Sequence, residues 1–71
     1  MRKVLKIEGM MCGHCEATVK KALEALPFVT LAMPNHSDNA CTVEITSEAE
    51  WDETLVRAAI EDKDFKYLGE A

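Results

Sequence analysis

Lys and Arg never occur in runs longer than a pair in this chain, and the 8 basic side chains are outnumbered by 13 acidic ones, for a formal charge of -5. Nothing here could neutralise a phosphate backbone, which argues against a nucleic-acid partner. Long apolar runs are also missing. No segment approaches the ~18 consecutive apolar residues that a membrane span requires, so no membrane insertion by the chain itself is expected. Met1-Arg2-Lys3 passes straight into Val4-Leu5-Lys6-Ile7, with no apolar signal core and no small-residue cleavage site. These absences point to a soluble chain in a reducing cytoplasm, where thiols stay free. A fourth cysteine is lacking: Cys12, Cys15 and Cys41 are an odd set, which excludes a fully paired disulfide framework within one chain. Linkers and low-complexity segments are absent too. With 71 residues the chain is expected to form one domain over residues 1–71. Such a chain buries roughly 60% of its unfolded surface, too little for the enclosed deep pocket of most enzymes.

What is present is periodic. Over residues 3–8, Leu5 and Ile7 alternate with Lys6 and Glu8, the pattern of a half-buried strand ended by Gly9. After a loop over Met10 to Gly13, Val19, Ala22, Leu23 and Leu26 recur at helical spacing until Pro27 stops the helix. Residues 28–33 read as a second strand closed by Pro34, which cannot donate a ladder hydrogen bond and so places this strand at a sheet edge. A turn over 35–39 leads to a third strand with Cys41, Val43 and Ile45 on one face. Ser47 followed by Glu50 reads as a capping box opening a helix over residues 48–62. Its apolar stripe would be Trp51, Leu55, Val56, Ala59 and Ile60, with Asp52 and Glu53 suiting the dipole of its first turns. Phe65 to Leu68 form a short last strand. The order βαββαβ is that of an α+β, ferredoxin-like fold: a four-stranded antiparallel sheet with two helices on one face.

Chemistry concentrates in Gly9-Met10-Met11-Cys12-Gly13-His14-Cys15, between the first strand and the first helix. A C-x-x-C pair lets two sulfurs converge on one ion or on each other. Placing Cys15 in the first helical turn brings unpaired N–H groups and the positive dipole end to bear, favouring thiolate over thiol. Two thiolates with no other ligand nearby suit a soft monovalent ion, Cu(I), better than an oxygen-seeking one. Structural zinc and redox dithiols share the same spacing, so the motif alone leaves these readings open.

Taken together, the entry strand with Leu5 and Ile7, Gly9-Met10-x-Cys12-x-x-Cys15, Ala25-Leu26-Pro27 and Ala59-Ile60 resemble the heavy-metal-associated domain family. That family holds the copper chaperones and the N-terminal metal-binding domains of P-type copper ATPases. The resemblance spans essentially the whole chain. It implies that Cys12 and Cys15 are the metal ligands and that Met10 is buried beneath the loop, positioning it. Met11 would fill the variable slot that in zinc-type relatives often carries an oxygen-donating Asp, and Met there favours Cu(I) over Zn(II). It further implies that Phe65 shields the loop. Asp64 departs from the usual Gly, and is accommodated if its backbone is left-handed, which Asp tolerates better than most residues. Phe28 likewise stands where the family usually has Gly, and Met33-Pro34 interrupt an expected Val-x-Val.

The remaining candidates have plainer readings. Cys41 shares parity with Val43 and Ile45 and reads as a core residue, not a third ligand. His14 is expected to face solvent, His36 to be a surface turn residue, Met33 to pack and Trp51 to be partly buried. The acidic run Glu48 to Glu53 reads as a solvated helix start.

Two functions follow. In the first, which is not enzymatic, Cys12 and Cys15 hold Cu(I) and pass it by ligand exchange to a metal-binding domain of a P-type ATPase or another copper protein. An acidic surface here calls for a basic docking surface there. The chain would act as a monomer, with a copper-bridged dimer open to it. In the second, Cys12-Gly13-His14-Cys15 is the dithiol of a thiol–disulfide oxidoreductase, whose tetrad it shares. Against this, that fold needs about a hundred residues, an aromatic before the first Cys and a Pro-bearing loop facing the site.

Overall fold

The computed structural model describes residues 1–71. Along it run β1 (Arg2–Glu8), α1 (Gly13–Glu24), β2 (Val29–Asn35), β3 (Ala40–Ile45), a single 3-10 turn (Glu48–Glu50), α2 (Glu53–Glu61) and β4 (Lys66–Glu70). The strands lie in the order β2-β3-β1-β4, every neighbouring pair antiparallel. The expected βαββαβ architecture is therefore the one observed. Leu5 and Ile7 of β1 and Cys41, Val43 and Ile45 of β3 turn inward and meet Val19 and Leu23 of α1 and Val56 and Ile60 of α2 in one core. Strand periodicity of two and helix periodicity near four thus converge on a single buried layer.

Antiparallel pairing also decides where the loops go. β1 and β2 finish, and β3 and β4 begin, at the same end of the molecule. The loop after Glu8, the β2–β3 turn and the α2–β4 turn therefore gather there, and Ile7 N–H donates to Asn39 O at 2.9 Å to tie two of them together. At the opposite end Lys3 donates to Glu48 at 2.9 Å and to Glu70 at 3.3 Å, and lies 5.1 Å from the Trp51 ring. Part of the acidic run is thus engaged away from the loop.

Three expectations about elements are corrected. Ser47 caps nothing with its side chain, and Glu48–Glu50 form only the 3-10 turn. Trp51 then becomes extended and sets its indole edge-on to Phe28, 5.8 Å between ring centres. The helix restarts at Asp52, whose carboxylate accepts from Thr54 N–H at 3.0 Å and Leu55 N–H at 3.3 Å. Asp52→Ala is accordingly expected to lower stability by about 1 kcal/mol in urea denaturation, whereas Ser47→Ala changes it by less than about 0.5 kcal/mol. With its start displaced, the helix turns Leu55 out to solvent and keeps Val56 and Ile60 inside. Secondly, β2 is indeed an edge strand, but it continues through Pro34 to Asn35. An irregularity between Val29 and Leu31 lets Val29 and Ala32 both face the core, and leaves Met33 exposed where packing was expected. Thirdly, Phe65 precedes β4, and it is Tyr67 that enters the core, its hydroxyl donating to Glu53 at 2.9 Å. Asp64 does adopt the left-handed conformation, with φ 67°.

Candidate metal centre

β1 delivers the chain to Gly9, whose φ of 107° is one that side-chain-bearing residues rarely hold. A Cβ there would stand 3.4 Å from Phe65 Cδ1, so the aromatic ring lies directly over the entry to the loop, as its position implied. Met10 is buried and belongs to the core, which fixes the loop from below. Met11 is 83% exposed, leaving one large apolar side chain in solvent beside the first cysteine.

The two cysteines of the motif sit differently. Cys12 is exposed and extended, at the N-cap of α1, and Glu16 N–H donates to its carbonyl at 3.1 Å. Cys15 lies in the first turn, half-buried and packed against the core. One sulfur is thus anchored to a rigid element and the other is presented to solvent. The Cys15 thiol lies beside the Cys12 sulfur. As a neutral thiol Cys12 makes no capping hydrogen bond, yet its thiolate faces the open helix end, where the N–H groups of Cys15 and then His14 hold its pKa below the ordinary thiol value.

Cys41 does not converge with this pair. It is fully buried in mid-sheet opposite Leu5 and Pro34, and burial pushes its pKa up to about 11. The core reading of Cys41 therefore holds. At pH 7 a limiting amount of iodoacetamide is expected to modify Cys12 first, and Cys41 only once the chain is unfolded. Because a lowered pKa raises the thiolate fraction, the Cys12 rate should level off at a lower pH than that of a free thiol. Peptide mapping across a pH series measures both effects. His14 faces solvent, as expected.

His36 does not behave as a mere surface turn residue. Its backbone N–H donates to Glu16 Oε2 at 2.7 Å, and its ring Nδ1 lies 2.6 Å from the same oxygen. These bonds, the backbone one first, hold Glu16 below the usual carboxylate pKa. The contact spans 20 residues, so only the folded topology brings the two together. Farther along α1, Glu24 accepts from Ala32 N–H at 2.9 Å and Lys20 donates to Ala32 O at 2.9 Å. Lys20 and Glu24 thus stitch the motif-bearing helix to β2, and Glu16 stitches it to the turn that follows. Nowhere do three His, Cys, Asp or Glu side chains converge. The largest concavity, an open groove of about 450 Å³ between α1 and α2, includes neither Cys12 nor Cys15. No helix is long and apolar enough to cross a membrane.

Comparison with known proteins agrees with this geometry. The sequence description of the heavy-metal-associated domain matches residues 4–66. The copper chaperone CopZ of Staphylococcus aureus is 31% identical over 64 residues, covering 90% of this chain and 93% of that protein. Among solved structures, a CopZ metallochaperone superposes with a TM-score of 0.86 at 29% identity, over 96% of this chain and 100% of that one. A copper-binding domain from HMA7, a P-type ATPase, superposes with a TM-score of 0.82 at 25% identity, over 97% and 95%.

Proposed function

We propose, from the premise that this chain belongs to the heavy-metal-associated domain family, that it carries one Cu(I) between the thiolates of Cys12 and Cys15 and hands it to a partner protein. The observation that carries the reading is the unequal placement of the two sulfurs: Cys15 half-buried on α1, Cys12 exposed at its N-cap, and no third donor at the site. A soft monovalent ion needs no more than two thiolates, whereas Zn(II) would want four ligands.

Transfer follows from exposure. An incoming partner thiolate bonds to copper beside Cys12 and Cys15, giving a three-coordinate ion. The bond to exposed Cys12 then breaks, a second partner thiolate takes its place, and the bond to Cys15 breaks last. Copper stays Cu(I) throughout, so no oxidant or reductant is needed. This is the work of a carrier and not of an enzyme, in a reducing compartment such as the cytoplasm. The partner suited to it is the metal-binding domain of a P-type ATPase or another copper protein, in keeping with the copper-binding neighbour from such an ATPase. Glu8, Asp38 and Asp64 are exposed around the loop end, and a basic docking surface complements them. Two loops facing each other could also share copper, bridging a dimer.

Anaerobic titration with Cu(I) against a competing chelator tests the reading. One ion per chain is expected. Zn(II) bound more tightly than Cu(I), or disulfide turnover that needs no metal, would overturn it.

A further inference from the structure

We infer that His36 is a specificity-determining residue: by clasping the Glu16 carboxylate it withholds from the dithiol a neighbouring oxygen donor, keeping the site two-coordinate and selective against Zn(II). The inference rests on the dithiolate site proposed above and concerns which ions that site refuses.

Glu16 follows Cys15 directly and lies four residues beyond Cys12, and its N–H closes the first helical bond to the Cys12 carbonyl at 3.1 Å. Its carboxylate stands near enough to the Cys12 sulfur for its charge to be felt there, so a turn of that side chain alone would carry an oxygen toward an ion held by the two thiolates. Two thiolates and a carboxylate would form a set that a divalent ion accepts and Cu(I) has no use for. That set is not assembled. The carboxylate is turned instead to the β2–β3 turn, where the single oxygen Oε2 takes both bonds from His36, at 2.7 and 2.6 Å. Since an ionised carboxylate only accepts, Nδ1 of His36 carries the proton in that bond.

The clasp also has a fixed base. Lys20 and Glu24 bind the β2 backbone at Ala32 one and two turns farther along the same helix face, so the first turn of α1 is held against the turn that carries His36. What remains free to change is the side chain of Glu16 alone, and His36 is the group that holds it.

The test measures Zn(II) and Cu(I) affinities, each ion alone against a chromophoric competitor. The proteins are the wild type, His36→Ala and His36→Glu, each with and without Glu16→Gln, and far-UV circular dichroism verifies their fold. His36→Ala removes one of the two bonds, and His36→Glu sets a like charge against the carboxylate and expels it. Zn(II) affinity is expected to rise about tenfold in His36→Glu and by less in His36→Ala, the scale on which outer partners of metal sites act, with Cu(I) affinity changed by less than about threefold. Adding Glu16→Gln should return Zn(II) affinity to that of the wild type. Unchanged Zn(II) affinity in both folded His36 variants, or a rise that survives Glu16→Gln, would overturn the inference. A wild-type chain that takes up no Cu(I) at Cys12 and Cys15 would instead overturn the cargo reading, a separate and recognisable result.

Discussion

Cys12→Ser and Cys15→Ser are each expected to lower Cu(I) affinity by more than about a hundredfold, while Cys41→Ala leaves it within about twofold. The lower bound follows from a comparison. Loss of an outer partner alone costs metal sites about 10–100-fold, and a serine hydroxyl, hard and protonated, is a far poorer donor to Cu(I) than a thiolate. Because the site has no third donor, removing one sulfur leaves nothing to take its place. The double variant should therefore bind no worse than either single one, a non-additivity that marks two groups acting on one ion. The side effects should differ. Cys12 is exposed, so its replacement should leave stability nearly unchanged, whereas Cys15 packs against the core and Cys41 lies within it. Cys41→Ala is expected to lower stability by about 1 kcal/mol through a small cavity, without touching metal affinity. Competition titration paired with urea denaturation separates the two kinds of loss. Binding retained in Cys12→Ser, or lost in folded Cys41→Ala, would sink the assignment of the ligands.

The parts of the molecule legible in its sequence are those where one local pattern has no competitor. Leu5 and Ile7, and Cys41, Val43 and Ile45, alternate without interruption, and their inward faces follow from parity alone. Gly9 to Cys15 is contiguous, so its place between a strand and a helix could be read directly. The start of α2 could not. Ser47 with Glu50 and Asp52 with its first turn are both plausible caps, and the choice is made by the contact of Trp51 with Phe28, which lies 23 residues back in the chain. The same holds for β2. An extra residue near Thr30 reverses parity, so Val29 and Ala32 turn inward and Leu31 and Met33 outward, an outcome set by pairing with β3. The clasp of Glu16 by His36 is the extreme case. Neither residue carries any local sign of the other, and their meeting depends on β2 ending beside the first turn of α1.

Leu23→Ala is expected to lower the stability of the apoprotein by about 2–5 kcal/mol, against a total of about 4–11 kcal/mol for a chain of this length. Leu23 is fully buried, and it stands on the helix whose first turn holds Cys15. Since the substitution leaves the loop untouched, Cu(I) should still bind the folded fraction, and mass action then offsets part of the loss. An ion that bound only the folded chain would return about 2.7 kcal/mol at a hundred times its dissociation constant. Here the gain should be smaller, because Cys12 and Cys15 are only three residues apart and an unfolded chain can still bring both sulfurs to one ion. The size of the shortfall measures what the fold adds: the buried Met10, the Phe65 ring over Gly9 and the open end of α1 together. Urea midpoints of Leu23→Ala with and without Cu(I) give that quantity, and Leu23→Ala combined with Cys12→Ser should show no gain. A midpoint that Cu(I) fails to move in Leu23→Ala would mean that folded and unfolded chains hold the ion equally well. The scaffold would then serve only to display the two thiolates to a partner, and not to tighten their grip.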